Sequence, residues 1–234
     1  MEDIPSNDPV MQPEPSSGPA GWLQTWIKAV TKPSEATFVE ITSDPNVTTS
    51  TAFTWAGIAG LISGLILGIV YGGSAALGGS SSSDTGLILG LICGLPIVMA
   101  IVTPISLAIG TALIQWVAKL FKGTGSFDKL LYGFAAVLVP LSLVSAIISA
   151  LSLIPFVGLC ISLFSYAILF YQIYLQIVIV KAVNRFDWGP AIGSVLIPII
   201  GFSILCGCLA FLGAMALAPM ISETFNGINQ SLMP

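Results

Sequence analysis

The side chains that could do chemistry in this 234-residue sequence are few and widely spaced. The four cysteines all lie inside apolar runs, and neither a CxxC pair nor a histidine accompanies them. Thiols in such surroundings behave as small apolar side chains. Because the chain contains no His, catalysis by imidazole and His-based metal sites are excluded. The cysteines are Cys93, Cys160, Cys206 and Cys208.

The carboxylates also lack the arrangement of an active site. Asp128 and Asp187 lie beside Lys129 and Arg185, which is typical of solvated ion pairs. The loop FKGTGSF is rich in glycine but lacks the GxxxxGK[ST] spacing of a phosphate-binding loop. No charged residue lies in the middle of an apolar run, so a proton relay is not visible. We therefore predict a protein that is not an enzyme, with no catalytic, cofactor-binding or metal-binding residues and no cofactor.

The fourth apolar run is the most polar of the five and carries two glutamines, Gln172 and Gln176. Their spacing places both on one face of a helix. Hydrogen bonds between membrane helices average about 0.6 kcal/mol, so these side chains could simply hold helices together. They could also line a polar groove that faces lipid or a substrate.

The elements that position these residues are predicted to be membrane helices. Hydrophobic residues make up 55% of the chain and charged residues 8%, whereas soluble domains carry about 25% charged residues. Five apolar runs are long enough to cross the bilayer. They cover residues 52–73, 88–117, 130–152, 156–180 and 190–217. We predict an all-α bundle of five transmembrane helices over 51–218, after a disordered acidic tail (1–20) and an amphipathic interfacial collar (21–50), and before a short outer tail (219–234).

All basic residues fall on one side of this five-span arrangement. They are Lys28 and Lys32 before the first span, Lys119, Lys122 and Lys129 in the second loop, and Lys181 and Arg185 in the fourth. Because cytoplasmic loops hold the excess of Lys and Arg, we predict a cytoplasmic N-terminus and an outer C-terminus.

The collar combines tryptophans with basic residues. Trp22 and Trp26 share the apolar face of a helix too short to span a membrane, which is typical of a helix lying in the interface. Pro33 at a first helical position predicts a second short helix carrying Phe38. This collar could only anchor the first span, or it could dock a soluble partner. The candidate interfacial and docking residues are Trp22, Trp26, Lys28, Lys32, Pro33, Phe38, Lys122, Phe127 and Arg185.

Glycines recur every four residues in the first two spans, a spacing that lets two membrane helices approach closely. The pattern predicts either a tight hairpin of spans one and two or self-association through span one. The predicted packing residues are Gly60, Gly64, Gly68 and Gly72 in span one, and Gly86, Gly90 and Gly94 in span two.

Three ordered segments carry a family resemblance. They are W…KPSEATF before span one, FKGTGSFDKLLYGFAAVLVP leading into span three, and VKAVNRFDWGPAI leading into span five. With five spans, the chain resembles the Yip family of polytopic membrane proteins, named for interaction with Ypt/Rab GTPases. The resemblance implies a non-enzymatic protein that binds GTPases and other family members through its cytoplasmic region. The short tail lacks the acidic-leucine motif of eukaryotic members and the collar resembles prokaryotic ones, so the sequence does not support a small GTPase as partner. The resemblance implies a prokaryotic plasma membrane, or the Golgi and ER if the chain is eukaryotic.

Two function classes remain from the sequence. The first is a membrane scaffold or adaptor, with a role in membrane organisation or a trafficking-like process, that docks partners on its cytoplasmic face. The second is a transporter or channel for a neutral or lipid-like solute, using Gln172 and Gln176. The expected partners are the lipid bilayer and either other copies of the chain or other membrane proteins, and no nucleic acid.

Overall fold

The structure, a computed structural model, describes residues 19–44, 47–77, 85–151 and 157–232. Within these ranges the chain is helical and contains no strand. The helices are α1 (Pro19–Thr31), α2 (Glu35–Thr42), α3 (Thr49–Leu77), α4 (Thr85–Leu89), a π-helical turn (Gly90–Gly94), α5 (Leu95–Leu120), α6 (Phe127–Leu151), α7 (Val157–Asn184) and α8 (Trp188–Leu232). The predicted acidic tail through residue 18, the serine-rich turn after span one and the break between spans three and four lie outside the described residues.

Five of these helices are long and apolar enough to cross a membrane, which confirms the predicted all-α, five-span fold class. Helix α6 is the centre of the bundle because it packs against α3, α5 and α7, and its face is the most buried of the five. Helix α8 contacts α5 and α7 and is the most exposed. The five candidate spans are Thr49–Ser74, Gly90–Leu120, Phe127–Leu151, Leu163–Asn184 and Trp188–Met215.

The glycine stripe of α3 packs against α5 and the π-helical turn before it, within the same chain. A β-carbon on Gly64 would lie 2.7 Å from Pro96 Cα, and one on Gly68 would lie 2.6 Å from the Leu91 carbonyl oxygen. A β-carbon on Gly60 would overlap the Met99 carbonyl. A β-carbon on Gly72 would meet a side chain instead, because it would lie 2.9 Å from Ile92 Cγ1. The stripe therefore lets the backbones of α3 and α5 touch, as small residues do in membrane helices.

The glycines predicted for the second span do not mirror that stripe. Gly90 and Gly94 lie in the π-helical turn, and a β-carbon on either would meet nothing within 4 Å. The packing role expected for these two residues is therefore not seen. A β-carbon on either would point away from α3, whereas Leu91 and Ile92 of the same turn lie against Gly68 and Gly72. Gly86 lies in α4, which also contacts α3.

The collar forms two short helices, but the second does not begin at proline. Ser34 is the N-cap of α2, and its hydroxyl accepts a hydrogen bond from the Thr37 amide at 3.1 Å. Pro33 therefore lies one residue before the cap, and the prediction of Pro33 at the first helical position was wrong. The serine hydroxyl can satisfy a free amide of the first turn, whereas proline has no such group.

Helix α8 extends far beyond the predicted fifth span. It has 45 residues, which correspond to about 68 Å of helix, more than twice the thickness of the hydrocarbon layer. Its apolar part ends near Met215. The described part of the predicted outer tail, 219–232, is a continuation of this helix.

Candidate functional site: the basic end of the bundle

All seven basic residues lie at one end of the bundle, which we call the basic end. Three contacts join the segments that carry them. Thr49 donates a hydrogen bond to Asp128 at 2.5 Å, which links the starts of α3 and α6. Lys181 of α7 forms an ion pair with Glu35 of α2. The Gly125 amide donates to Asn184 Oδ1 at 3.1 Å, which joins the loop before α6 to the end of α7.

An aromatic cluster seats α1 on the bundle. The rings of Trp22 and Trp26 lie 6.1 and 5.6 Å from that of Trp55 in edge-on geometry. The centre of the Trp55 ring also lies 4.8 Å from that of Tyr132 in α6, and Trp55 is only 1% exposed. Edge-on aromatic pairs contribute about 0.5–1.5 kcal/mol each beyond the area they bury. The two collar tryptophans therefore bind the helices of this chain, whereas the neighbouring Leu23 and Ile27 are exposed.

Helix α2 is seated by burial and by ion pairs. Phe38 is fully buried, so its side chain belongs to the core and is not available to a partner. Glu35 reaches Lys181, and Glu40 pairs with Lys28 of α1 at 2.5 Å. Such partly exposed pairs contribute at most about 1 kcal/mol. Helix α1 is also bonded to α7, because the phenol of Tyr171 donates a hydrogen bond to the Val30 carbonyl at 2.5 Å.

A buried amide network holds the two basic loops together. Gln115 donates from Nε2 to the Gly125 carbonyl at 2.7 Å, and Asn184 Oδ1 accepts from the Gly125 amide. Asn184 also donates from Nδ2 to the Val180 carbonyl at 3.3 Å. Gln115 and Asn184 are 6% and 2% exposed. Because buried polar groups are costly unless paired, this network fixes the loop geometry.

The spacing within FKGTGSF did not predict this network, because the partners Gln115 and Asn184 lie outside the loop. The available signal was the pair of glycines around Thr124. A β-carbon on Gly123 would lie 2.6 Å from Asn184 Oδ1, and one on Gly125 would lie 2.8 Å from the same atom. The glycines therefore serve close approach of Asn184 rather than ligand binding.

Helices α5 and α7 end in the same way. A residue just past each helix has a left-handed backbone: Lys122, two residues after α5, with φ of 65°, and Arg185, directly after α7, with φ of 57°. The next amide bonds back five residues, from Gly123 to Ala118 at 2.9 Å and from Phe186 to Lys181 at 3.0 Å. This is the Schellman arrangement, in which glycine is the usual left-handed residue. Here both positions hold a cation at a cost of about 1–2 kcal/mol each.

Five cations at the basic end are exposed, and none forms an ion pair with any residue in the described ranges. The other two basic residues, Lys28 and Lys181, each form an ion pair. The Lys181 ammonium also lies 5.6 Å from the centre of the Trp188 ring. The predicted docking residues Lys32, Lys122 and Arg185 are therefore accessible, whereas Phe127 and Pro33 are half-buried. The five are Lys32, Lys119, Lys122, Lys129 and Arg185.

The two glutamines of α7 have different surroundings. Gln176 lines a cavity of about 600 Å³ between α5, α6, α7 and α8, and Gln172 does not. Of the two side chains predicted to line a polar groove, only Gln176 lines this cavity. Gln172 is half-buried one turn away.

A family model described as the Yip1 domain matches residues 27–218. The chain belongs to the Yip family. The matched range contains both basic loops, the five spans as far as the apolar part of α8, and most of the collar, so the family resemblance of the three sequence segments is confirmed. In this Yip-family chain, the buried network and the seated collar connect those three segments at the basic end. Nothing among the curated proteins or the solved structures matches the chain.

Proposed function

We propose that this Yip-family protein is a non-enzymatic membrane scaffold or adaptor whose basic end faces the cytoplasm and docks partners with an acidic surface. The observation that carries the proposal is the placement of Lys122 and Arg185. Orientation by the positive-inside rule requires positive charge in the loops, but it does not require a cation on a left-handed backbone. At these two positions glycine would have a lower conformational energy than a charged residue. A charge that is retained there is therefore expected to serve a function of its own.

The surroundings of these two cations suit a docking surface. They flank the loop held by Gln115, Asn184 and Gly125, so their backbones are fixed before a partner arrives. A preorganised surface loses less conformational entropy on binding. The other exposed cations of the basic end extend the same positive surface.

The test uses the backbone preference of the two positions. The double variant Lys122→Gly/Arg185→Gly removes both charges where glycine is the favoured residue, so the fold should be kept. The control, Lys122→Arg/Arg185→Lys, keeps both charges. A photo-crosslinking residue at the exposed Asp187 then captures neighbours in native membranes. We expect defined crosslinked partners in the control and their loss in the glycine variant. If the glycine variant folds and still captures the same crosslinked partners, the proposal is contradicted.

Transport of a neutral or lipid-like solute is the second candidate, and the cavity beside Gln176 is the observation that favours it. Flux in proteoliposomes that is lost in Gln176→Leu and kept in Gln172→Leu would favour transport over docking. The two glutamines form a matched pair because only Gln176 lines the cavity.

A further inference from the structure

The cavity among α5, α6, α7 and α8 lies within the hydrophobic part of the bundle. Gln176 precedes Asn184 by eight residues, about 12 Å along α7, and half of the hydrocarbon layer is about 15 Å thick. Because Asn184 ends the fourth candidate span, this distance corresponds to a cavity near the middle of the hydrocarbon layer. Residues at its rim, Ile109, Leu113 and Phe202, are 57%, 44% and 63% exposed, so the opening faces lipid rather than water.

The cavity wall combines apolar side chains with two uncommitted polar groups. Thr111 and Ser203 also line it, but their hydroxyls donate to carbonyls of their own helices at 2.7 and 2.8 Å. Neither the Gln176 amide nor the Ser106 hydroxyl has a hydrogen-bond partner in the parts of the chain that the structure describes. A polar group without a partner is costly in hydrocarbon, so an occupant that bonds to these groups is favoured.

The lining also restricts the charge of the occupant. It contains no Asp, Glu, Lys or Arg, and a charged headgroup at this depth would need a partner. Water alone is a poor occupant because an apolar cavity of about 600 Å³ offers too few hydrogen-bonding groups to fill it with solvent. We propose that this cavity binds a neutral bilayer lipid, with long apolar chains and a hydroxyl or ester group that bonds to Gln176 and Ser106. This site is independent of the docking function proposed above.

The first test fills the cavity. Gly110 lines it, and a β-carbon there would meet nothing within 4 Å, so Gly110→Leu places a side chain in the cavity. The matched control is Gly201→Leu, because Gly201 is exposed, has the same free space and lies outside the lining. The probe is a diazirine-bearing diacylglycerol in phosphatidylcholine vesicles, with diazirine-bearing phosphatidylglycerol as the charged comparison. Labelled peptides from α5 and α8 are quantified by mass spectrometry.

We expect the diacylglycerol probe to label the cavity peptides of the unmodified protein and of Gly201→Leu, and to lose that labelling in Gly110→Leu. Gln176→Leu should lower the labelling about fivefold, as loss of one hydrogen bond predicts, while Gln172→Leu leaves it unchanged. Equal labelling by the charged probe, or labelling unaffected by Gly110→Leu, would overturn the proposal. A change of oligomeric state in Gly110→Leu without a change in labelling would show instead that a second copy occupies the cavity.

Discussion

At the scale of single residues, the basic end depends on how closely one asparagine approaches a loop backbone. Asn184 Oδ1 lies in the space that side chains at positions 123 and 125 would occupy, and both positions are glycine. The same atom accepts the Gly125 amide, while Gln115 satisfies the carbonyl of that glycine. The amide and the carbonyl of Gly125 thus keep their partners only if the loop stays in contact with α7 and α5.

A single methyl group should disrupt this contact. In Gly125→Ala the new β-carbon would lie 2.8 Å from Asn184 Oδ1 and 2.9 Å from the Val183 carbonyl, so backbone must move. We expect a loss of about 1–3 kcal/mol in unfolding free energy, the cost of leaving buried polar groups unpaired, measured by thermal unfolding in detergent. Gly189→Ala, where a β-carbon meets nothing within 4 Å, should have little effect. If the two variants are equally stable, the loop can move away from Asn184 without a loss of stability, and the prediction is wrong.

At the scale of elements, α3 and α5 pack as a hairpin through the glycine face of α3. The contact is between backbones, so it cannot adjust by rotating a side chain. The sequence left open whether this stripe packs within the chain or between copies. The structure places Pro96, Leu91 and Met99 against it, which leaves no room for a helix from a second copy at the same glycines.

Substitution within the stripe should therefore affect folding rather than association. In Gly64→Ile the first added atom already lies 2.7 Å from Pro96 Cα, and overpacking of this kind costs about 1–3 kcal/mol or more. We expect a lower melting temperature and a lower yield of monodisperse protein. The matched control, Gly73→Ile, adds the same side chain on α3 where nothing lies within 4 Å. A folded Gly64→Ile variant that only loses oligomers would show that the stripe packs between copies.

At the scale of the whole molecule, the described contacts gather every basic residue at one end of five apolar helices. From that asymmetry we predict a cytoplasmic N-terminus, since loops rich in Lys and Arg stay on the side where the chain is made. An odd number of spans then places the two ends of the chain on opposite sides.

The orientation can be measured with a cleavable epitope tag at each end of the chain. In sealed right-side-out vesicles, added protease should remove the C-terminal tag and spare the N-terminal one, and inverted vesicles should give the reverse. A soluble cytoplasmic protein trapped in the right-side-out vesicles serves as the control for sealing. Two tags cleaved from the same side would contradict a five-span arrangement, and cleavage of the N-terminal tag from outside would reverse the proposed orientation.

The sequence by itself determined the class of the protein. Apolar runs of about 20 residues can be recognised one at a time, because the thickness of the bilayer sets their length. The placement of Lys and Arg, the α3 glycine stripe and the two short helices of the collar could be read in the same local way. The start of α2 was misplaced only by the local competition between Pro33 and the cap at Ser34.

The tertiary structure decided which groups meet. Residues Gln115, Gly125 and Asn184 lie up to 69 positions apart, and no local pattern announces that they share hydrogen bonds. The same holds for Trp22 and Trp26, because an apolar helix face can contact either lipid or protein. Only the structure shows that both rings pack against Trp55. Gln172 and Gln176 are equivalent by spacing, yet only the packing of four helices gives Gln176 a cavity. Long-range contacts arise from the joint packing of several helices, and a periodic pattern within one helix does not identify which residues of another helix will meet it.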